Sequence, residues 1–143
     1  MIQWNAALAK RLACAEDRKS ALPNIVRALA GYSQKARTEG LGALAEAVKS
    51  AEDPFLAFGL SLVGEGLSGE VLEDILAAHL VTGGLQGFDF LKACMTAEAL
   101  VSISLGDAPA LTVRKLAAYC GAERAAPLLS EFGPLSAYTQ DLL

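Results

Sequence analysis

The sequence lacks the residues from which most small catalytic and metal centres are built. Its one histidine is His79, which excludes a zinc site with two histidine ligands. No Gly-x-Ser-x-Gly elbow accompanies it, so a histidine-based triad has no nucleophile turn to serve. There is no Walker A loop and no dinucleotide-type glycine fingerprint. The glycine-rich run over 64–69 contains no lysine and reads as a joint between two helices. The cysteines, Cys14, Cys94 and Cys120, are odd in number and form no Cys-x-x-Cys pair. They read as small buried thiols in a reducing compartment, not as a disulfide framework. No stretch reaches the roughly 18 uncharged apolar residues needed to cross a bilayer. Lys10 and Arg11 interrupt the apolar N-terminus, which therefore does not read as a signal peptide. The expectation is a soluble, cytoplasmic protein with no catalytic residues, no metal ligands and no cofactor.

What is present is apolar and strongly patterned. Of the 143 residues, 53% are hydrophobic, 6% aromatic and 20% charged. That composition is too apolar for a disordered chain and suits a single domain, 1–143, with a core of its own. A net charge of −4 argues against a nucleic-acid binder, which is ordinarily basic. The charge is unevenly spread. Residues 1–37 hold seven basic side chains (Lys10, Arg11, Arg18, Lys19, Arg27, Lys35, Arg37) and two acidic ones, whereas 38–143 hold five basic and fourteen acidic. Such a split suggests a basic arm or face with something specific to meet.

The periodicity predicts an all-α fold, a compact bundle of about six to eight helices. Helix-favouring Ala and Leu dominate, and alternating Val/Ile/Thr runs are absent. A first helix is expected over about 3–18. Ser20 reads as the N-cap of the second, with Pro23 in its first turn. That helix ends at Glu39 or continues past Gly40. Asp53-Pro54 is a helix start, with an acidic N-cap and proline at the first helical position. Ser68 caps the next helix, and 83–88 reads as a linker. A long helix follows over about 89–105. Gly106 ends it, Asp107 caps its successor, and short helices fill 122–132 and 134–142. Trp4 reads as a packing anchor. Glu98 would need a partner if buried.

The chain also resembles itself at an offset of 40 residues. Leu60, Gly66, Leu76, Ala77 and Ala78 fall on Leu100, Gly106, Leu116, Ala117 and Ala118, with Val63 on Ile103 and Val71 on Leu111. Each copy is a helix, a glycine stop, a cap and a second helix. Neither hairpin can bury its apolar face alone, so the two related helix-turn-helix hairpins are expected to pack together.

Two stretches resemble the cytoplasmic parts of the MotA family, the ion-channel subunits of the flagellar stator (MotA/TolQ/ExbB). The first includes 36–44, ARTEGLGAL, followed by Asp53-Pro54-Phe55-Leu56, 59–63 (GLSLV) and Gly66. The second includes 98–103 (EALVSI), then Gly106-Asp107-Ala108-Pro109 and Lys115-Leu116. On this reading 22–80 is a first MotA-like segment, 81–89 a linker, 90–120 a second segment and 121–143 a set of short C-terminal helices. The family's membrane-spanning helices have no counterpart, because the join between the stretches is too short to cross a membrane.

The resemblance therefore implies a non-catalytic interaction module related to motility, not an ion channel itself. Its implied partners are a rotor switch protein, a stator subunit or another copy of the chain, without nucleic acid. It places Arg37 at a family position that bears on contact with the rotor switch protein. The family's glutamate eight residues later falls on Ala45, with Glu46 beside it. Lys35 and Glu39 flank Arg37 and are candidate ion-pair partners. Two other readings stay open: a peripheral membrane-surface protein using Lys10, Arg11, Arg18 and Lys19, and a small helical enzyme. The basic bias of 1–37 also fits the positive-inside pattern of a membrane protein whose spans are missing.

Overall fold

Gly87–Ser104, the seventh helix in the chain (α7), is buried over twelve of its 18 residues. A helix that is apolar on every side belongs at the centre of a bundle, and the rest of the chain is arranged around this one. The structure, a computed structural model, describes residues 5–135. Trp4 and nearly all of the helix expected over 134–142 lie outside the described residues.

In chain order the helices are α1 (Ala6–Leu12), α2 (Glu16–Lys19), α3 (Leu22–Glu39), α4 (Leu44–Ala47), α5 (Pro54–Gly64), α6 (Gly69–Thr82), α7, α8 (Pro109–Ala117) and α9 (Ala122–Phe132). Short 3-10 turns over 41–43 and 48–50 flank α4, and another over 118–120 extends α8. The fold is all-α, with no strand among the described residues. Two of the nine segments, α2 and α4, are single turns of four residues.

α7 serves two cores at once. One flank, through Phe90, Ala93, Cys94, Ala97, Leu100 and Val101, packs with Leu44, Leu60, Val63, Leu72 and Leu76 of α4–α6. The other, through Leu91, Met95 and Ala99, packs with Leu22, Val26 and Leu29 of α3, Val113 and Leu116 of α8, and Leu128 of α9. Such burial removes apolar surface from water on both sides of one helix, worth roughly 25 cal/mol per Å².

The offset-40 repeat has a structural counterpart. At the end of α5, the Gly66 N–H bonds to the Val63 carbonyl and the Leu67 N–H to that of Leu62. At the end of α7, the Gly106 N–H bonds to the Ile103 carbonyl and the Asp107 N–H to that of Ser102. Gly66 and Gly106 both sit at positive φ, 94° and 78°, the left-handed stop that glycine adopts without penalty. The hairpins α5–α6 and α7–α8 thus share one stop and are joined through α7, which contacts both α5 and α6.

Several local expectations are corrected. The N-terminal helix is broken, with Ala13 and Ala15 in extended conformations between α1 and α2. Tertiary anchors override the helical pattern. Arg11 donates from Nε to the Leu85 carbonyl (3.1 Å) and from Nη2 to the Leu80 carbonyl (2.8 Å), and it lies 3.9 Å from the Phe90 ring centroid. Arg18 lies over Phe88, and Glu16 meets Arg124. Lys19 and Arg124 beside Glu16 hold its carboxyl below the ordinary value.

Ser20 does not cap α3. Its hydroxyl donates to the Asp17 carbonyl, and the helix starts after Ala21. α3 stops at Gly40, which has φ 91°. Asp53 does cap α5, accepting the Phe55 N–H at 3.1 Å. Asp107 does not cap α8, whose N-cap is Ala108. The non-helical join before α7 is shorter than expected, because α6 reaches Thr82 and α7 begins at Gly87. Cys94 and Cys120 are buried, but Cys14 is only partly so, because it lies in the break after α1.

Candidate interaction face

Arg37 sits in the last turn of α3, and Gly40 then turns the chain into the short helices of 41–50. This end of α3 faces the α7–α8 turn. Between them is a cleft of about 240 Å³, walled by Ser33, Ala36, Arg37 and Leu41 on one side and by Ile103 to Asp107 on the other. Segments 33–41 and 103–107, far apart in sequence, meet here.

The turn side of the cleft is held by a closed polar network. Asp107 Oδ2 accepts the Ser102 hydroxyl at 2.6 Å and the Lys115 ammonium at 2.5 Å. Ser102 Oγ also lies 2.8 Å from Thr112 Oγ1, which is fully buried. Burying these groups without partners would cost free energy. Together they fix the angle between α7 and α8, and they explain why Asp107 is not available as an N-cap. On the opposite wall, the buried Ser33 hydroxyl has no hydrogen-bond partner among the described residues. Leu105 projects from the turn, 57% exposed. The corresponding residue in the first hairpin, at the 40-residue offset, is Glu65.

The four residues singled out from sequence are not all brought together. Arg37 lines the cleft. Lys35 pairs with Glu39 one turn away on α3, at 3.5 Å. Glu46 lies on α4, is paired with Lys49 at 3.6 Å, and does not line the cleft. Sequence reasoning missed Ser33 and Leu105, and it placed Lys115 in a motif without seeing its bond to Asp107. A large apolar residue immediately before a glycine stop was the available signal for Leu105. Nothing local marked Ser33, because its burial depends on what α3 packs against.

A second uncovered surface lies on α6. Val71 is 57% and Val81 72% exposed. Nearby, the His79 ring lies 4.4 Å from that of Phe58 and 6.1 Å from that of Phe55. Among the described residues, no three His, Cys, Asp or Glu side chains form a group that could hold a metal, and no helix is long and apolar enough to cross a membrane. Glu98 is partly exposed, beside Lys115 and Tyr119.

No protein-family model, curated protein sequence or solved structure matches the chain at a significant level.

Proposed function

We propose that this chain is a non-catalytic protein-interaction module of MotA-like cytoplasmic character, and that it engages a partner through the Arg37 end of α3 and the 104–107 turn. One observation carries the reading. The two stretches with MotA-like motifs line a single cleft, with Arg37 on one wall and Gly106-Asp107 on the other. The exposed Leu105 beside a charged rim has the make-up of a contact site, with an apolar anchor ringed by polar groups. The partner on this reading is a component of the flagellar motor, foremost the rotor switch protein. The chain itself conducts no ions.

The membrane-surface reading is the weaker one. Arg11 is engaged with backbone carbonyls and Phe90, Lys19 with Glu16, and Arg27 with Glu131 at 2.9 Å. These contacts divert much of the basic arm from anionic headgroups. The test is binding of the purified chain to a purified rotor switch protein, by calorimetry at low and moderate salt. Arg37→Glu and Leu105→Ser should each weaken binding at least tenfold. Equal affinity for the wild type and both variants, or no binding, would sink the proposal.

A further inference from the structure

Ser33 lies deep on the α3 wall of the Arg37 cleft. It is 2% exposed, and its hydroxyl has no hydrogen-bond partner among the described residues. A serine or threonine on a helix has an easy remedy, because its hydroxyl can donate to the carbonyl three or four residues back. Thr38, Ser61, Thr82, Thr96 and Ser104 all do so. Ser33 does not, although Leu29 stands four residues before it on the same helix. Burying a hydroxyl without a partner is unfavourable, so the position calls for a hydrogen-bonding group from outside the chain.

The rest of the lining narrows what that group is attached to. Ile103, on the facing wall, is also buried, and Ala36, Leu41 and Leu105 add apolar surface. A water would meet the hydroxyl but not these walls. The volume, about 240 Å³, is below the roughly 300–1,000 Å³ of sites that enclose drug-sized ligands, and it suits one side chain. The charges select against a charged tip. The last turns of α3 and α7 both line the cleft, so two negative helix ends point to it. Its charged lining among the described residues is Asp107, bonded to Lys115, and Arg37. Lys35 and Glu39 pair with each other and do not line it. A carboxylate tip would meet Asp107 and two helix C-termini, and an ammonium tip would meet Arg37. A neutral polar tip avoids both penalties. A ring suits the body of such a side chain, because a guanidinium attracts an aromatic face.

We propose, building on the reading of this cleft as the contact face, that it receives one tyrosine side chain of the protein partner, with the phenol hydroxyl on Ser33 Oγ. A tyrosine buries an apolar ring and carries one hydroxyl that both donates and accepts, as that of Ser33 does. Tyrosine is also among the residues that dominate the energetics of protein interfaces.

The test is a titration of the purified chain, followed by amide NMR, with p-cresol, toluene, p-toluate and 4-methylbenzylamine. These probes share a methylbenzene body and differ only in the tip: a hydroxyl, nothing, a carboxylate or an ammonium. p-Cresol should shift the amides of 33–37 and 103–107 with a dissociation constant on the order of 1 mM. It should bind about fivefold tighter than toluene, the worth of one neutral hydrogen bond, and tighter than either charged probe. Ser33→Ala should bring p-cresol to the affinity of toluene and leave toluene unchanged, with circular dichroism verifying the fold. Equal affinity of the wild type for p-cresol and toluene would overturn the proposal, since water alone would then serve the hydroxyl. Tightest binding of a charged probe, a p-cresol preference that survives Ser33→Ala, or shifts that avoid 103–107 would overturn it equally. The probes require no rotor protein, so a phenol preference that depends on Ser33 would stand even if that protein failed to bind. Conversely, rotor-protein binding that Arg37→Glu weakens, with no phenol preference, would sink this inference and leave the contact face intact.

Discussion

Gly59 and Leu100 set how closely α5 approaches α7. A methyl group added to Gly59 would lie inside the van der Waals envelope of Leu100 Cδ1, and Leu100 is itself 1% exposed. A surface leucine could swing away, but this one is held on all sides by the core shared by α4, α5, α6 and α7. Gly59→Ala is therefore expected to destabilise the fold by about 1–3 kcal/mol, despite alanine's better helix propensity. Leu100→Ala alone should cost about 2–5 kcal/mol. The two residues touch, so the double variant should lose less than the sum of the two. Urea unfolding of the four proteins checks this, and strict additivity would contradict it.

Two buried serines should respond in opposite ways to loss of their hydroxyls. Ser102 links Asp107 to the fully buried Thr112. Ser102→Ala leaves the Thr112 hydroxyl without that partner and should cost about 1–3 kcal/mol. Ser33 Oγ is buried with no partner among the described residues, so Ser33→Ala removes a desolvated group that returns nothing, and it should be neutral or stabilising. Thermal melts of both variants under one set of conditions decide the matter.

Burial pushes the Cys94 thiol up to about 11, from an ordinary 9.0, and raises Cys120 in the same direction. In the unfolded chain these thiols release their protons near their ordinary value. Above about pH 9 the unfolded state therefore binds fewer protons than the folded one, and stability falls as pH rises. The loss should begin near pH 9 and continue to about pH 11, with none from these groups below pH 9. Urea midpoints from pH 7 to 11 test the sign. Cys94→Ala should flatten the alkaline slope, whatever it does to stability at pH 7. In the native state, alkylation at pH 8 should label Cys14 first and leave Cys94 and Cys120 until the chain unfolds.

Arg11 ties α1 to the rest of the molecule through two carbonyls and one ring. Arg11→Ala should release α1 at a cost of about 1–3 kcal/mol. Amide exchange over 6–12 should approach unprotected rates, while α7 stays protected. Arg11→Lys should recover only part of the docking, because an ammonium cannot reproduce the two-pronged geometry. Unchanged protection in α1 would show that its apolar contacts suffice without Arg11.

The helices with strong local signals were legible in the residues. Asp53-Pro54 announced α5 and performs the predicted cap. Gly66 and Gly106 announced the two stops and adopt the same hydrogen bonds. What escaped were choices made by partners distant in sequence. Ser20 and Asp107 have the chemistry of caps, but each found a better use, one with the Asp17 carbonyl and the other with Lys115 and Ser102. The break at 13–15 follows from the sites that Arg11 and Arg18 must reach, which no window of local sequence contains. The cleft was half legible. Arg37 was marked by motif, but its facing wall, Ile103 to Asp107, became its neighbour only through the packing of α3 against α7 and α8.

The Arg11 contacts also set an order of events during synthesis. The Leu80 carbonyl lies in the last turn of α6, where backbone acceptors have no partner within the helix, and Arg11 supplies the missing donor from 69 residues earlier in the chain. Its second acceptor, on Leu85, is 74 residues away. At roughly 5–20 residues per second, several seconds separate the emergence of α1 from that of the surface it docks on. During that interval the nascent chain presents its most basic segment undocked, and α6, once made, finds the donor for its C-terminal end already waiting.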